Sequence, residues 1–442
     1  TDLLAFAIGS ITVLPALSSF CKYASIGVAL VYLLQVTLFT AILALDTRRQ
    51  KGRRRECCCC SVNKPSEEEK KAGKLETFVG RVWHYYAEYL LKWNIAKVIV
   101  IFVFIVFLGI GIYGVIQTQP EFDPVFFLPS DSYALEYSEV EDSFFQDDRV
   151  PIFLVTREFD HFEMKDRVLG MIEEVNSNEF VESSVTGWFI DFEGYLNRTN
   201  QAPNDTETWH STLSSWLLTE GARYSNDITF QNGSQTAIRA SRMYSRLIAL
   251  TKALDQVDAT RSIRNTVDNS GLHAYPYSFS FLEFDQYAII QREILVNLLL
   301  ALAAVFIVTV LLLGNLFVSV TVFVCVLMTL IDIFGVMWLW SINLDVVSVI
   351  NLVLAVGIAV DYSTHIGHAY LQESGSNDER IYKALVDVGG AVLNGAVSTF
   401  LAVLVLAFSK SFIFQVFFRQ FFSITLLGVL HALVLLPVVL SL

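Results

Sequence analysis

Residues 357–368 read GIAVDYSTHIGH and sit inside a run of otherwise apolar residues. An unpaired charge in hydrocarbon costs at least ~2.5–3.5 kcal/mol on insertion scales. An aspartate and two histidines placed there must therefore be compensated or used. On a helix, Asp361 and His365 are four residues apart and share a face, and His368 follows at i+7 on that face. Gly357, one turn before Asp361, would let a neighbouring helix or a file of water approach the carboxylate. Intramembrane ionisable residues mark ion and proton pathways, and histidine titrates near neutral pH. The pair is thus read as an ion-coupling site, with His368 as an outlying member. The competing reading is a carboxylate that only anchors helices through buried hydrogen bonds.

The rest of the chain supports a membrane setting for this stretch. Of 442 residues, 54% are hydrophobic and only 17% charged, against roughly 25% charged in a soluble domain. About eight stretches reach the length that spans ~30 Å of hydrocarbon: 3–19, 23–45, 95–117, 291–313, 316–340, 344–371, 383–409 and 416–442. Tight turns are expected between the first and second, the fourth and fifth, and the fifth and sixth. The net charge of −13 says little when a membrane separates two aqueous faces, but the one basic cluster lies beside a membrane helix, so no nucleic-acid partner is expected. The chain opens with Thr1 directly into an apolar run, so a further N-terminal half is expected upstream.

Loop charge sets the expected orientation. Residues 46–55, DTRRQKGRRR, place basic side chains just after the second span, which puts that end in the cytosol. The third span then leads outward, making 118–290 extracytoplasmic. Three glycosylation sequons, at Asn197, Asn204 and Asn232, fall in that region. Cys57, Cys58, Cys59 and Cys60 are consecutive on the cytosolic side beside basic residues, a setting that suits S-palmitoylation. Residues 75–93 carry apolar and aromatic residues at helical spacing and are read as an interfacial amphipathic helix.

These divisions give an organisation of 1–45 (two helices), 46–94 (cytosolic linker and amphipathic helix), 95–117 (one span), 118–290 (outer domain) and 291–442 (five-helix bundle). The outer region lacks cysteine and must fold on its own apolar core. Residues 150–156 suit a buried strand, 162–176 a helix, 184–192 an extended segment and 236–256 a strand followed by a helix. That alternation implies an α+β sandwich. Residues 22–39 and 420–437 align weakly at an offset of 398 and share a Ser-Ile pair, as a parallel two-fold repeat would give.

Asp332, in LMTLIDIFGVMWLW, is a second carboxylate within a span and a further ion-coupling candidate. Asp345 opens the next span and is read as a charge favoured at a helix N-terminus. Asn351 and Asn394 are read as buried amides that glue helices together. No phosphate loop, HExxH or nucleophile elbow is present, so neither an enzyme nor a cofactor or metal is expected.

The segment 334–371, FGVMWLWSINLDVVSVINLVLAVGIAVDYSTHIGHAYL, resembles the Patched and Niemann–Pick C branch of the resistance–nodulation–division (RND) superfamily. Gly357, Asp361 and His365 match the acidic motif of that family's tenth helix, and VDYSTHIGHAY looks most like the Patched-related proteins. LPSDSY at 128–133, residues 276–287 and residues 408–422 extend the likeness, and 1–35 looks like the end of a sterol-sensing domain. The resemblance implies a polytopic α-helical bundle of RND type, two outer domains of ferredoxin-like character, and a sterol or other lipid as ligand. It further implies transport driven by a cation gradient through paired acids on the fourth and tenth helices, of which this chain holds only Asp361. The alternative it leaves open is a non-transporting sterol-binding receptor or regulator of Hedgehog-like signalling; on either reading the expected location is the plasma membrane or an endomembrane. The cysteine-free outer domain departs from Niemann–Pick C proteins.

Overall fold

The computed structural model describes residues 2–52, 78–120, 128–145, 149–231, 237–250 and 252–442. It divides into a helical unit, Thr1–Leu135 with Ile290–Leu442, and an α/β unit, Glu136–Ile289.

The helical unit begins with α1 (Asp2–Gly9) and α2 (Pro15–Lys51), followed by α3 (Phe78–Lys92) and α4 (Asn94–Gln117). Among the described residues seven helices, α2 and α4 included, are long and apolar enough to cross a membrane, rather than eight. The difference lies at the start of the chain. Residues 3–19 do not form one helix, and residues 20–22 are not a turn but the interior of α2. The chain breaks at residues 10–14, where Glu293 grips the unwound backbone. Its Oε2 accepts from the Thr12 hydroxyl at 2.6 Å and from the Val13 amide at 3.1 Å. Pro15 then restarts the helix at N1, where its missing N–H leaves no bond unmade.

The sheet of the α/β unit is antiparallel. It is built from β1 (Arg149–Arg157), β2 (Val181–Thr186), β3 (Ile228–Phe230), β4 (Ile238–Ala249) and β5 (Ala274–Tyr277). Its order is β2-β4-β1-β5, with β3 beside β2 on the same edge of the long β4. Five helices belong wholly or mainly to this part of the chain: α5 (Tyr133–Phe144), α6 (Lys165–Asn176), α7 (Trp188–Thr199), α8 (Thr206–Leu217) and α9 (Ala253–Asn269). The successions β1-α6-β2 and β4-α9-β5 each skip one strand, a split βαβ arrangement. Residues 187–192, read from sequence as extended, turn at Gly187 into α7. The reason is visible in the core: Trp188, Phe189, Phe192 and Leu196 recur at helical spacing and are all buried. With Trp209 and Trp216 they form an aromatic core that needs no disulfide.

The remaining spans are α10 (Phe281–Leu313), α11 (Leu316–Leu339), α12 (Val346–Gln372), α13 (Asn377–Phe408) and α14 (Phe412–Ser441). Caps set the starts of α11, α12 and α13. Asn315 accepts from the Val318 amide at 3.1 Å. Asp345 and Ser348 form a reciprocal capping box on α12, as do Ser376 and Glu379 on α13. Asp345 is thus a cap, as its position in the sequence implies. Helices α4 and α11 touch backbone to backbone, because a Cβ on Gly114 would lie 2.4 Å from the Phe334 carbonyl oxygen. On α3, Trp83, Ala87, Leu90 and Leu91 are buried against the bundle. A π turn interrupts α2 at Gln35–Phe39 and α14 at His431–Leu435, nearly matched positions of the weak repeat.

Candidate functional site

Helix α12 carries the motif and is, with α14, the most enclosed span. From Ser348 to Tyr370 every residue is buried except Leu354, Ile358, Asp361, Thr364, His365 and His368. Positions 354, 358, 361, 365 and 368 are spaced by four, three, four and three, which is one face of the helix. The ionisable side chains therefore occupy the one face of α12 that the described chain leaves incompletely covered. Asp361 is half-buried, His365 and His368 are exposed, and Gly357 is buried one turn before Asp361. His368 bonds locally to the Gln372 amide at 3.0 Å.

Asp332 is placed elsewhere. It lies on α11, 4% exposed, and its Oδ2 is 3.3 Å from Nε2 of His431 on α14, which is fully buried. The π turn of α14 begins at His431, and π turns of this kind recur at functional sites. The His431 ring meets the edge of Phe104 on α4, with centroids 4.7 Å apart. Its Nδ1 lies 2.8 Å from the Leu427 carbonyl. Neither Asp332 oxygen has a hydrogen-bond partner among the described residues.

Sequence reasoning missed His431 and Glu293. Both were open to the rule that exposed Asp361, since each is an ionisable residue in or beside an apolar run. His431 lies inside the segment read as the last span and as part of the repeat. Asn351 fits its reading as glue: its Nδ2 donates to Gln420 Oε1 on α14 at 2.5 Å, both side chains buried. Asn394 does not. It is exposed, facing a cavity of about 420 Å³ lined also by Trp83, Tyr86, Leu393 and Leu433. Asn197 and Asn204 are exposed in the α/β unit. Asn232 and Cys57–Cys60 lie outside the described residues. Among those described, no group of three or more His, Cys, Asp and Glu is placed to hold a metal ion.

Residues 1–63 match the family described as the sterol-sensing domain of SREBP cleavage-activation. The whole chain is 29% identical to NPC intracellular cholesterol transporter 1 of Sus scrofa, covering 40% of that protein. It is 28% identical to Patched-related protein 9 of Caenorhabditis elegans, covering 52%. These likenesses support a Patched and Niemann–Pick C branch RND protein, of which the chain covers part. The fold agrees: the hedgehog release protein Disp from the water bear Hypsibius dujardini superposes over the full chain and 57% of its own, with TM-score 0.67 at 15% identity. The apolar helices and the membrane-protein relatives make this a multi-pass membrane protein, and the chain spans about half or less of the curated relatives cited. Cholesterol-transporter and Patched-related relatives match at nearly equal identity. Overall likeness thus does not separate the two groups that the cysteine-free outer region was expected to separate.

Proposed function

We propose that the whole protein is an RND-type transporter of a sterol or other lipid, driven by a cation gradient, with Asp361 as the ion-coupling carboxylate. The observation that carries this reading is the incompletely covered face of α12. A span otherwise buried from Ser348 to Tyr370 keeps one face open, and that face holds Asp361 and His365. Charged groups within a span face a bundle interior or a water path rather than lipid. This face is therefore half of an interface, whose complement is an acid-bearing helix of the N-terminal half. The match of residues 1–63 to a sterol-sensing domain and the likeness to cholesterol transporters support a sterol as ligand. The basic run at 46–55 supports a cytosolic end for α2 and an extracytoplasmic α/β unit, with Asn197 and Asn204 open to glycosylation.

The test uses full-length protein in liposomes loaded with a fluorescent sterol, with flux measured with and without an imposed cation gradient. Asp361→Asn is expected to cut gradient-dependent flux by roughly tenfold or more while sterol binding persists. Equal flux in wild type and variant would overturn the coupling role, and bound sterol without gradient-dependent flux in the wild type would favour a receptor.

A further inference from the structure

The Asp332–His431 contact contains a proton that neither side chain can be assigned alone. The Leu427 carbonyl can only accept, so His431 Nδ1, 2.8 Å away, must carry a hydrogen and donate it. A neutral imidazole with its hydrogen on Nδ1 has a bare lone pair on Nε2. That lone pair would face Asp332 Oδ2 at 3.3 Å. Carboxylate oxygen and lone pair are both acceptors, and an ionised Asp332 would have no donor at either oxygen among the described residues. One hydrogen between Oδ2 and Nε2 resolves both defects, whether it is written on the carboxyl or on an imidazolium. We propose that Asp332 and His431 together form a site for one exchangeable proton within the helical bundle, separate from the Asp361 face of α12.

The surroundings suit a site that holds its proton until the helix moves. On α4 the pair meets Phe104, and the one charged residue of that helix, Lys97, is bound to Asp378 at 2.7 Å. On α11 the other titratable group is the buried Cys325. Helix α12 offers Asp361, Tyr362, His365, His368 and Tyr370, and α14 itself offers Arg419, twelve residues before His431. On α13, Asp378, Glu379, Arg380, Tyr382, Lys383 and Asp387 all lie in its first three turns. The π turn supplies the movable part. Pro437 has no N–H for the carbonyl four residues back, that of Leu433. Tyr86 of α3 donates its hydroxyl to that carbonyl at 2.8 Å. A displacement of α3 would leave that carbonyl without the tyrosine donor, loosen the turn, and let the His431 ring move away from Asp332, releasing the proton to entering water.

The proposal rests on the cation-driven reading above and names the cation as a proton. Its test is full-length protein in nanodiscs and liposomes, with nitrogen-15 NMR of labelled histidine and flux under a proton gradient at fixed sodium. Asp332→Asn presents an amide N–H to Nε2, so it is expected to fold with an unchanged Tm yet be unable to release a proton. The expected results are a hydrogen-bonded Nε2 signal for His431 that changes with pH in the wild type, a pH-independent one in Asp332→Asn, and proton-driven flux lowered roughly tenfold or more. Should that variant misfold, His431→Gln, whose amide N–H can face Asp332, is expected to show the same flux loss. A bare Nε2 signal in the wild type overturns the proposal, as does wild-type flux in a folded Asp332→Asn. A titrating His431 signal together with full flux in Asp361→Asn overturns the role of Asp361 and leaves the proton site standing.

Discussion

Asp332 and His431 come from helices far apart in sequence and meet at 3.3 Å with almost no exposure, whereas Asp361 and His365 are one turn apart on a face of α12 that this chain leaves partly open. Both are Asp–His combinations within apolar spans, yet their surroundings differ. The first is complete in itself: each partner is the other's main polar neighbour, and apolar side chains close the rest. The second lies on a face where Asp361 is half-buried and His365 exposed. Spacing along one helix can place two groups on one side, but only packing between helices can seal them together.

The contrast is broken or sharpened first by stability. Asp332→Ala leaves His431 Nε2 buried without a partner, so full-length protein in detergent is expected to lose about 3–5 kcal/mol. Asp361→Ala, on the open face, is expected to cost under ~1 kcal/mol. Thermal melts compare the two directly, and equal losses would mean that the two sites are equally enclosed.

A histidine outside the spans offers the next comparison. His161 in the α/β unit is also buried, but it rests against the hydroxyls of Thr156 at 3.0 Å and Ser241 at 3.3 Å rather than a carboxylate. Burial pushes its pKa down from the ordinary value of 6.5 to about 4. The unfolded chain therefore takes up a proton that the folded unit refuses as pH falls below about 6.5. Stability is lost between there and about pH 4, and the loss levels off below that. The shift corresponds to roughly 3 kcal/mol across the window. Hydrogen exchange of β1 and β4 amides in the full-length protein is expected to quicken over this range, and His161→Gln is expected to flatten the response.

The smallest effect concerns His368. It is exposed and bonded only to Gln372 in the same turn, so His368→Ala is expected to leave gradient-dependent flux within about twofold of wild type. A loss as large as that of Asp361→Asn would extend the coupling site by a turn.

Much of this arrangement was legible before any coordinates. All seven spans stand out by length and apolarity alone, though the start of α2 was misplaced, because a lone apolar run satisfies its backbone in hydrocarbon as a helix. The basis for reading α12 as functional was equally plain, since Asp361 contradicts its neighbours. The break at residues 10–14 was not legible, because it depends on Glu293, far away in the chain. The helix at Trp188–Thr199 was hidden because Val185, Trp188, Phe189 and Phe192 suit a strand as readily as a helix over a short window. The pairing of Asp332 was hidden because its partner belongs to another helix, and no local spacing announces a contact between α11 and α14.

The grip of Glu293 on Thr12 and Val13 ties the two ends of the chain's story together. Those two residues fall within the stretch that matches a sterol-sensing domain, and the carboxylate belongs to α10 of the bundle. A single side chain thus fastens the joint between α1 and α2 to α10, so Glu293→Gln is expected to loosen both at once.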